Sequence, residues 1–176
     1  MTSVLSTIEK IREETRFRPA FVQASNLRNH QLELDIVDRK IYINVEVHPD
    51  CLDNGSDVTE TSRLFVWQHG VVPDDEPHQI IGKQLGGSGH VCNVIPLNEK
   101  IDISAWKNNE AKIYEHVKKG GDRHAQMFFS FEYDDESDKI ARPIRIYYHF
   151  VLYENDQLVD EMMEGVFENP DPRAIN

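Results

Sequence analysis

The spacing of hydrophobic residues changes several times along the chain, and each change marks an element. From Ser3 to Arg16 the apolar residues Val4, Leu5, Ile8 and Ile11 fall at helical intervals among charges, which predicts an amphipathic helix closed before Pro19. Residues 1–30 are expected to form a helical arm and residues 31–176 a single domain. Leu32, Leu34 and Ile36, and after the polar break Asp38-Arg39-Lys40 the set Ile41, Ile43, Val45 and Val47, alternate with polar neighbours. A period of two predicts a β-hairpin with one buried face, ended by His48-Pro49-Asp50. Cys51 to Arg63 is polar with a turn at Asn54-Gly55, and the run Leu64-Phe65-Val66-Trp67 predicts a short buried strand.

Pro73-Asp74-Asp75-Glu76-Pro77 is an acidic turn that delivers the chain into a short strand, His78 to Ile81, followed by the loop Gly86-Gly87-Ser88-Gly89. Asn93 to Leu97 predicts a second short strand. Ser104 is expected to cap a helix that carries Ala105, Trp106, Ile113, Tyr114 and Val117 and stops at Gly120-Gly121. Trp106 and Tyr114 read as core residues of that helix rather than base-stacking ones. Gln126–Tyr133 and Pro143–Tyr153 are aromatic and β-branched strands separated by the acidic loop Asp134–Asp138. These elements add up to an α+β fold built on a mostly antiparallel sheet.

With 39% hydrophobic residues in 176, the chain can bury one core. Its formal charge of −12 opposes a polyanion at long range. Residues 103–123 reverse this locally, with Lys107, Lys112, Lys118, Lys119 and Arg123 against Glu110, Glu115 and Asp122. Cys51 and Cys92 lack metal-site or redox spacing and read as small core residues. The first 30 residues hold Glu9, Glu13 and Glu14 and no long apolar stretch, so no signal peptide, membrane span or membrane partner is expected. The expected location is the cytoplasm, or outside the cell by a route that needs no signal peptide. His90, His116, His124 and His149 have no carboxylate or cysteine at metal-site spacing, so a zinc site is not expected.

Candidate chemistry concentrates between His78 and Glu110. An imidazole near neutral pH can take a proton from water, and a carboxylate at a helix start suits a hard cation such as Mg²⁺ that keeps most of its waters. Glu110 lies eight residues beyond Asp102, about two helical turns along and on nearly the same side. The glycine loop lacks the Gly-Lys-Ser/Thr ending of a nucleotide phosphate loop.

The order of these residues resembles the DNA/RNA non-specific endonuclease family of ββα-metal, or His-Me finger, nucleases, in its bacterial toxin-type branch. The stations read Asp75-Glu76-Pro77-His78, Ile81-Gly82-Lys83-Gln84-Leu85-Gly86-Gly87, Asn93-Val94-Ile95-Pro96, Asp102 and Glu110, then Arg142-Pro143 and Phe167-Glu168-Asn169-Pro170. The resemblance covers about residues 75–170 and implies a ββα-metal finger on the sheet. It further implies His78 as general base, Asp102 and Glu110 at a Mg²⁺ or Mn²⁺ ion, and hydrolysis of DNA or RNA, as in a delivered toxin or effector. Glu110 would also share in catalysis by holding a metal-bound water, and Lys83, Asn93, Lys107 and Lys112 are the expected substrate-binding residues. The chain departs from the family at Pro77, where glycine precedes the histidine, at Asp102, where the ligand is an amide, and at Tyr114, where an arginine would follow Glu110. Two other readings stay open. One is a degenerate nuclease fold that binds a protein partner through its acidic surface; the other is a nuclease inhibitor that mimics DNA, which the −12 charge favours.

Overall fold

The computed structural model describes residues 3–22, 25–71, 73–134 and 140–174. The acidic-loop positions Asp135, Glu136, Ser137 and Asp138 lie outside them. Strands β1 (Phe17–Pro19), β2 (Arg28–Asp35), β3 (Lys40–Val47), β6 (Arg123–Glu132), β7 (Arg145–Glu154) and β8 (Gln157–Glu168) form one antiparallel sheet in the order β1-β2-β3-β6-β7-β8. Strands β4 (Asp75–Gln79) and β5 (Val94–Asn98) pair separately as an antiparallel hairpin, and helix α3 (Ser104–Lys118) follows them. The fold is α+β with a mostly antiparallel sheet, and β4, β5 and α3 make its ββα finger.

Alternation along the central strands assigns the two faces of the sheet. Ile43, Val45, Val47, Ala125, Met127 and Phe129 point to the finger side, where they share one core with Trp106, Ile113 and Val117 of α3, each fully buried. Helix α1 (Val4–Glu14) covers part of the opposite face, burying Ile8 among Ile41, Tyr42 and Phe128. Ser3 caps α1 by accepting from the Ser6 N–H at 3.1 Å, and Arg12 ties the helix to Glu33 of β2 at 2.6 Å. Among the described residues no helix is long and apolar enough to cross a membrane.

The expected strand at Leu64–Trp67 is instead part of helix α2 (Glu60–His69). Thr59 caps it by accepting from the Ser62 N–H at 3.1 Å, and the helical period turns Ser62 and Val66 inward while Leu64 and Trp67 stay exposed. Ser104 is the first residue of α3 rather than its cap; the Asp102 carboxylate accepts from the Ser104 N–H at 3.0 Å. β1 and β8 were not expected. The β7–β8 turn uses Asn155 and Asp156, both at positive φ, the conformation that a tight two-residue hairpin needs.

One buried polar cluster joins the finger to the sheet. Asp75 at the start of β4 accepts two hydrogen bonds from the Arg142 guanidinium, at 2.5 and 2.9 Å, and a third from the Val71 N–H at 2.7 Å. Arg142 also donates to the Asn169 carbonyl at 2.7 Å. The Asn169 amide donates to the carbonyls of Pro143 and Pro96, at 2.7 and 3.1 Å, and its oxygen accepts from the Asn98 N–H at 3.0 Å. Both β4 and β5 are thereby pinned to the segments before β7 and after β8. Removing one partner of such a cluster leaves a buried charge uncompensated. Arg142→Ala should therefore cost about 3–5 kcal/mol in urea unfolding, and Arg142→Lys should not restore it because ammonium lacks the bidentate fork. A loss below about 1 kcal/mol, the range of an exposed pair, would contradict this.

Candidate active site

The loop after β4 takes its shape from backbone and amide contacts. Asn93 is 1% exposed, its oxygen accepts from the Ile81 N–H at 2.9 Å, and its nitrogen donates to the carbonyls of Ile81 and Ser88 at 2.9 and 2.7 Å. Asn93, expected at the substrate, is thus committed inside the fold, where it clamps the two ends of the glycine loop. Gly87 sits so close to this clamp that a Cβ there would lie 1.8 Å from the Ile81 carbonyl oxygen, so only glycine fits. Pro77 stands opposite Pro96 in the β4–β5 register, a pair where neither residue has an N–H to lose.

Beneath this loop a groove of about 540 Å³ is lined by His78, Gly82, Lys83, Gln84, Lys107 and Glu110, among others. β4 delivers His78 and α3 delivers Lys107 and Glu110. The Gly82 N–H donates to Glu110 Oε2 at 2.8 Å, and a Cβ at Gly82 would come within 2.5 Å of the same oxygen. The other Glu110 oxygen takes no hydrogen bond among the described residues. His78 packs edge-on against Trp106, with ring centroids 4.5 Å apart, and its Nε2 is buried without a hydrogen-bond partner. Burial, with a smaller contribution from the Lys107 charge, pushes the His78 pKa down to about 4, so the ring is neutral at pH 7. Burial pushes Glu110 up to about 7, against the Gly82 N–H and Lys107, which favour its charged form. A base and an acid with opposite shifts thus share one groove.

The remaining expected residues are distributed more widely. Lys107 is exposed on the rim, and Lys83 pairs with Asp57 at 2.9 Å. Lys112 is exposed on α3 and does not line the groove. Asp102 is exposed and also outside the groove lining; hydrogen bonds from the Ser104 hydroxyl and N–H hold its pKa below the usual carboxylate range. Tyr114 donates to Asp53 at 2.7 Å. Among the described residues His78, Asp102 and Glu110 do not converge as a closed three-ligand cage. The Gly82 N–H was missed from sequence, since only the fold brings it to Glu110. Sequence spacing gives His124 and His149 no carboxylate partner, but the fold brings one to each from a neighbouring strand: His124 Nε2 lies 3.9 Å from Glu46 and His149 Nδ1 3.1 Å from Glu164.

No protein-family model matches the chain, and no curated sequence matches it. Solved structures do match in fold. An extracellular endonuclease aligns with a TM-score of 0.53 at 13% identity, over 89% of this chain and 91% of that one. NucA from Streptococcus agalactiae with bound magnesium gives 0.59 at 11% identity, over 96% and 91%. Sda1 nuclease with bound zinc gives 0.54 at 12% identity, over 92% and 86%. The chain has the fold of these ββα-metal nucleases.

The raised carboxyl pKa has a direct consequence for stability. Glu110 titrates at 4.5 when unfolded and about 7 when folded. Its contribution to stability is therefore full below pH 4.5 and is lost as pH rises through 7. Glu110→Gln has no such loss, so relative to wild type its melting temperature should rise between pH 5 and pH 8, by on the order of 5 °C. A difference that stays constant over that range would show that the carboxyl is not desolvated.

Proposed function

We propose that this protein is a metal-dependent endonuclease acting on DNA and RNA without sequence specificity, with His78 as general base. The observation that carries this reading is the neutral His78 and the desolvated Glu110 facing one lysine-rimmed groove on the ββα finger. The magnesium-bound and zinc-bound nucleases of the same fold support a divalent ion as cofactor.

The donors fit a hard, largely hydrated ion. Glu110 offers a carboxylate oxygen that takes no hydrogen bond among the described residues, a donor suited to Mg²⁺ or Mn²⁺, and Asp102, outside the groove lining, would reach such an ion only through the waters it keeps. Such an ion, when bound, neutralises charge gathering on the phosphate and leaving oxygen. His78 accepts a proton from the attacking water, which it can do because it is uncharged at pH 7. Glu110, its carboxylate fixed by the Gly82 N–H, would hold such an ion in the groove. Lys83, Lys107 and Lys112 meet the phosphodiester backbone and offset locally the charge of −12. Tyr114 in place of an arginine leaves transition-state charge to these lysines.

Purified protein should nick plasmid DNA and degrade RNA with Mg²⁺ or Mn²⁺ and stop on chelation, and His78→Ala should lower the rate by about 10²–10⁴-fold. Equal rates for the variant and wild type would remove His78 from the chemistry. No cleavage by wild type with any metal would favour the acidic protein-binding module, the alternative that the net charge supports. Asp102→Asn should keep activity, since an amide still offers oxygen to a hard cation, whereas Asp102→Ala should abolish it. An active alanine variant would place Asp102 outside the site.

A further inference from the structure

We propose that Glu46, His48 and His124 form a second, solvent-open site for a borderline divalent ion of the zinc, cobalt or nickel class. β3 and β6 pair in the register Glu46↔Gln126 and Val47↔Ala125, so the next positions, His48 and His124, face each other across the strands. Their rings stack with centroids 4.7 Å apart and 3° between planes, and Tyr153 covers the other side of His124 at 4.8 Å. His48 Nε2 lies 3.1 Å and His124 Nε2 3.9 Å from the same Glu46 oxygen, and the three ligand atoms all fall within 4.8 Å of one another. Among the described residues this is the one cluster of three such ligands.

The cluster is separate from the groove. Glu46 and His124 alternate with Val45 and Ala125, whose side chains enter the finger-side core, so the site lies on the opposite face of the sheet. It opens into a cavity of about 610 Å³ that shares no lining residue with the groove. Asp122 and Asp156 on the cavity wall add negative field, and the nearby Arg28 and Arg123 are each paired, with Asp50 and Glu154 at 2.9 Å.

The supporting contacts have the form of a metal site. A bulge in β2 places Asn29, at positive φ, where its amide donates to the second Glu46 oxygen and leaves the first facing the imidazoles. Burial disfavours the Glu46 charge, but the hydrogen bonds from Asn29 and His48 outweigh it and hold the carboxyl below its usual range. Two imidazoles and one carboxylate are a set that zinc takes with a fourth position left for water. Metal–ligand bonds of about 2.0–2.1 Å place tetrahedral ligand atoms about 3.3 Å apart, so the two imidazoles, now in nearly parallel planes, would have to leave their stack and tilt toward each other to direct both lone pairs at one ion. His48 would then carry its proton on Nδ1, and Arg28, now 3.4 Å from that nitrogen, would turn wholly to Asp50.

Zinc chloride titrated calorimetrically into the full chain, with millimolar Mg²⁺ present, tests the site. Wild type and Glu110→Gln should bind one zinc equally, since the groove is not involved. His124→Ala should weaken binding by at least about 100-fold, and Asn29→Ala by about 10–100-fold. Glu46→Gln, which preserves size and hydrogen bonding, covers the case in which His124→Ala fails to fold, and should weaken binding at least about 10-fold. Cobalt should give a visible spectrum of nitrogen and oxygen ligation that disappears in His124→Ala. Binding that is equally tight in wild type, His124→Ala and Glu46→Gln would overturn the assignment, as would loss of zinc binding in Glu110→Gln alone.

Discussion

The finger holds its position because a buried arginine has two partners on different parts of the chain. Arg142 meets Asp75 on one side and Asn169 on the other, and Asn169 reaches Pro96 and Asn98 on β5. A two-stranded hairpin is marginal in isolation, and β4–β5 carries two opposed prolines that contribute no ladder donors. Its orientation against the six-stranded sheet is set by this cluster together with the apolar contacts of α3. Since His78 sits three residues after Asp75, the cluster also fixes where the imidazole lines the groove it shares with Glu110.

The groove gathers groups whose stable state in water is disfavoured. Burial keeps His78 neutral and makes Glu110 reluctant to ionise, and the two shifts oppose each other as pH changes. A protein selected only for stability has little reason to bury a histidine nitrogen without a partner beside a half-buried carboxyl. A cation entering the groove would relieve Glu110, and a phosphate arriving beside it would meet Lys83 and Lys107, whose charges stay exposed at the rim. The acidic remainder of the surface lowers long-range attraction for nucleic acid, so under the proposed function the lysines would act close to the site rather than as a steering field.

Elements with one clear period were legible in the sequence. α3, the β2–β3 hairpin and β5 follow their apolar spacing, and the residues Asp75, Arg142 and Asn169 already stood in the stations of the family resemblance, whereas β4 runs over Asp75–Gln79, through the expected acidic turn and short of the apolar pair Ile80-Ile81, because its pairing with β5 and not its own apolar content makes it a strand. α2 was misread because four consecutive apolar residues fit a strand and a helix equally well, and the deciding signal was the cap Thr59 ahead of them. β8 was missed because Leu158-Val159 and Met162-Met163 break strict alternation, and the β7–β8 ladder itself shifts register near Val151. Asn93 showed the right position and the wrong partner: sequence marks it as special, but only the folded loop reveals that its amide is spent on Ile81 and Ser88. The Glu46–His48–His124 cluster depends on pairing register between segments more than 70 residues apart, which no local spacing encodes.

The pH dependence of DNA cleavage at several Mg²⁺ concentrations bears most directly on the proposed chemistry. If Glu110 must ionise to hold the ion, the rate rises with pH through about 7, and that rise moves to lower pH as Mg²⁺ increases, because metal and proton compete for one carboxylate. A rate that is flat from pH 6 to 8, or a rise that stays in place at every Mg²⁺ concentration, would contradict a metal site at Glu110.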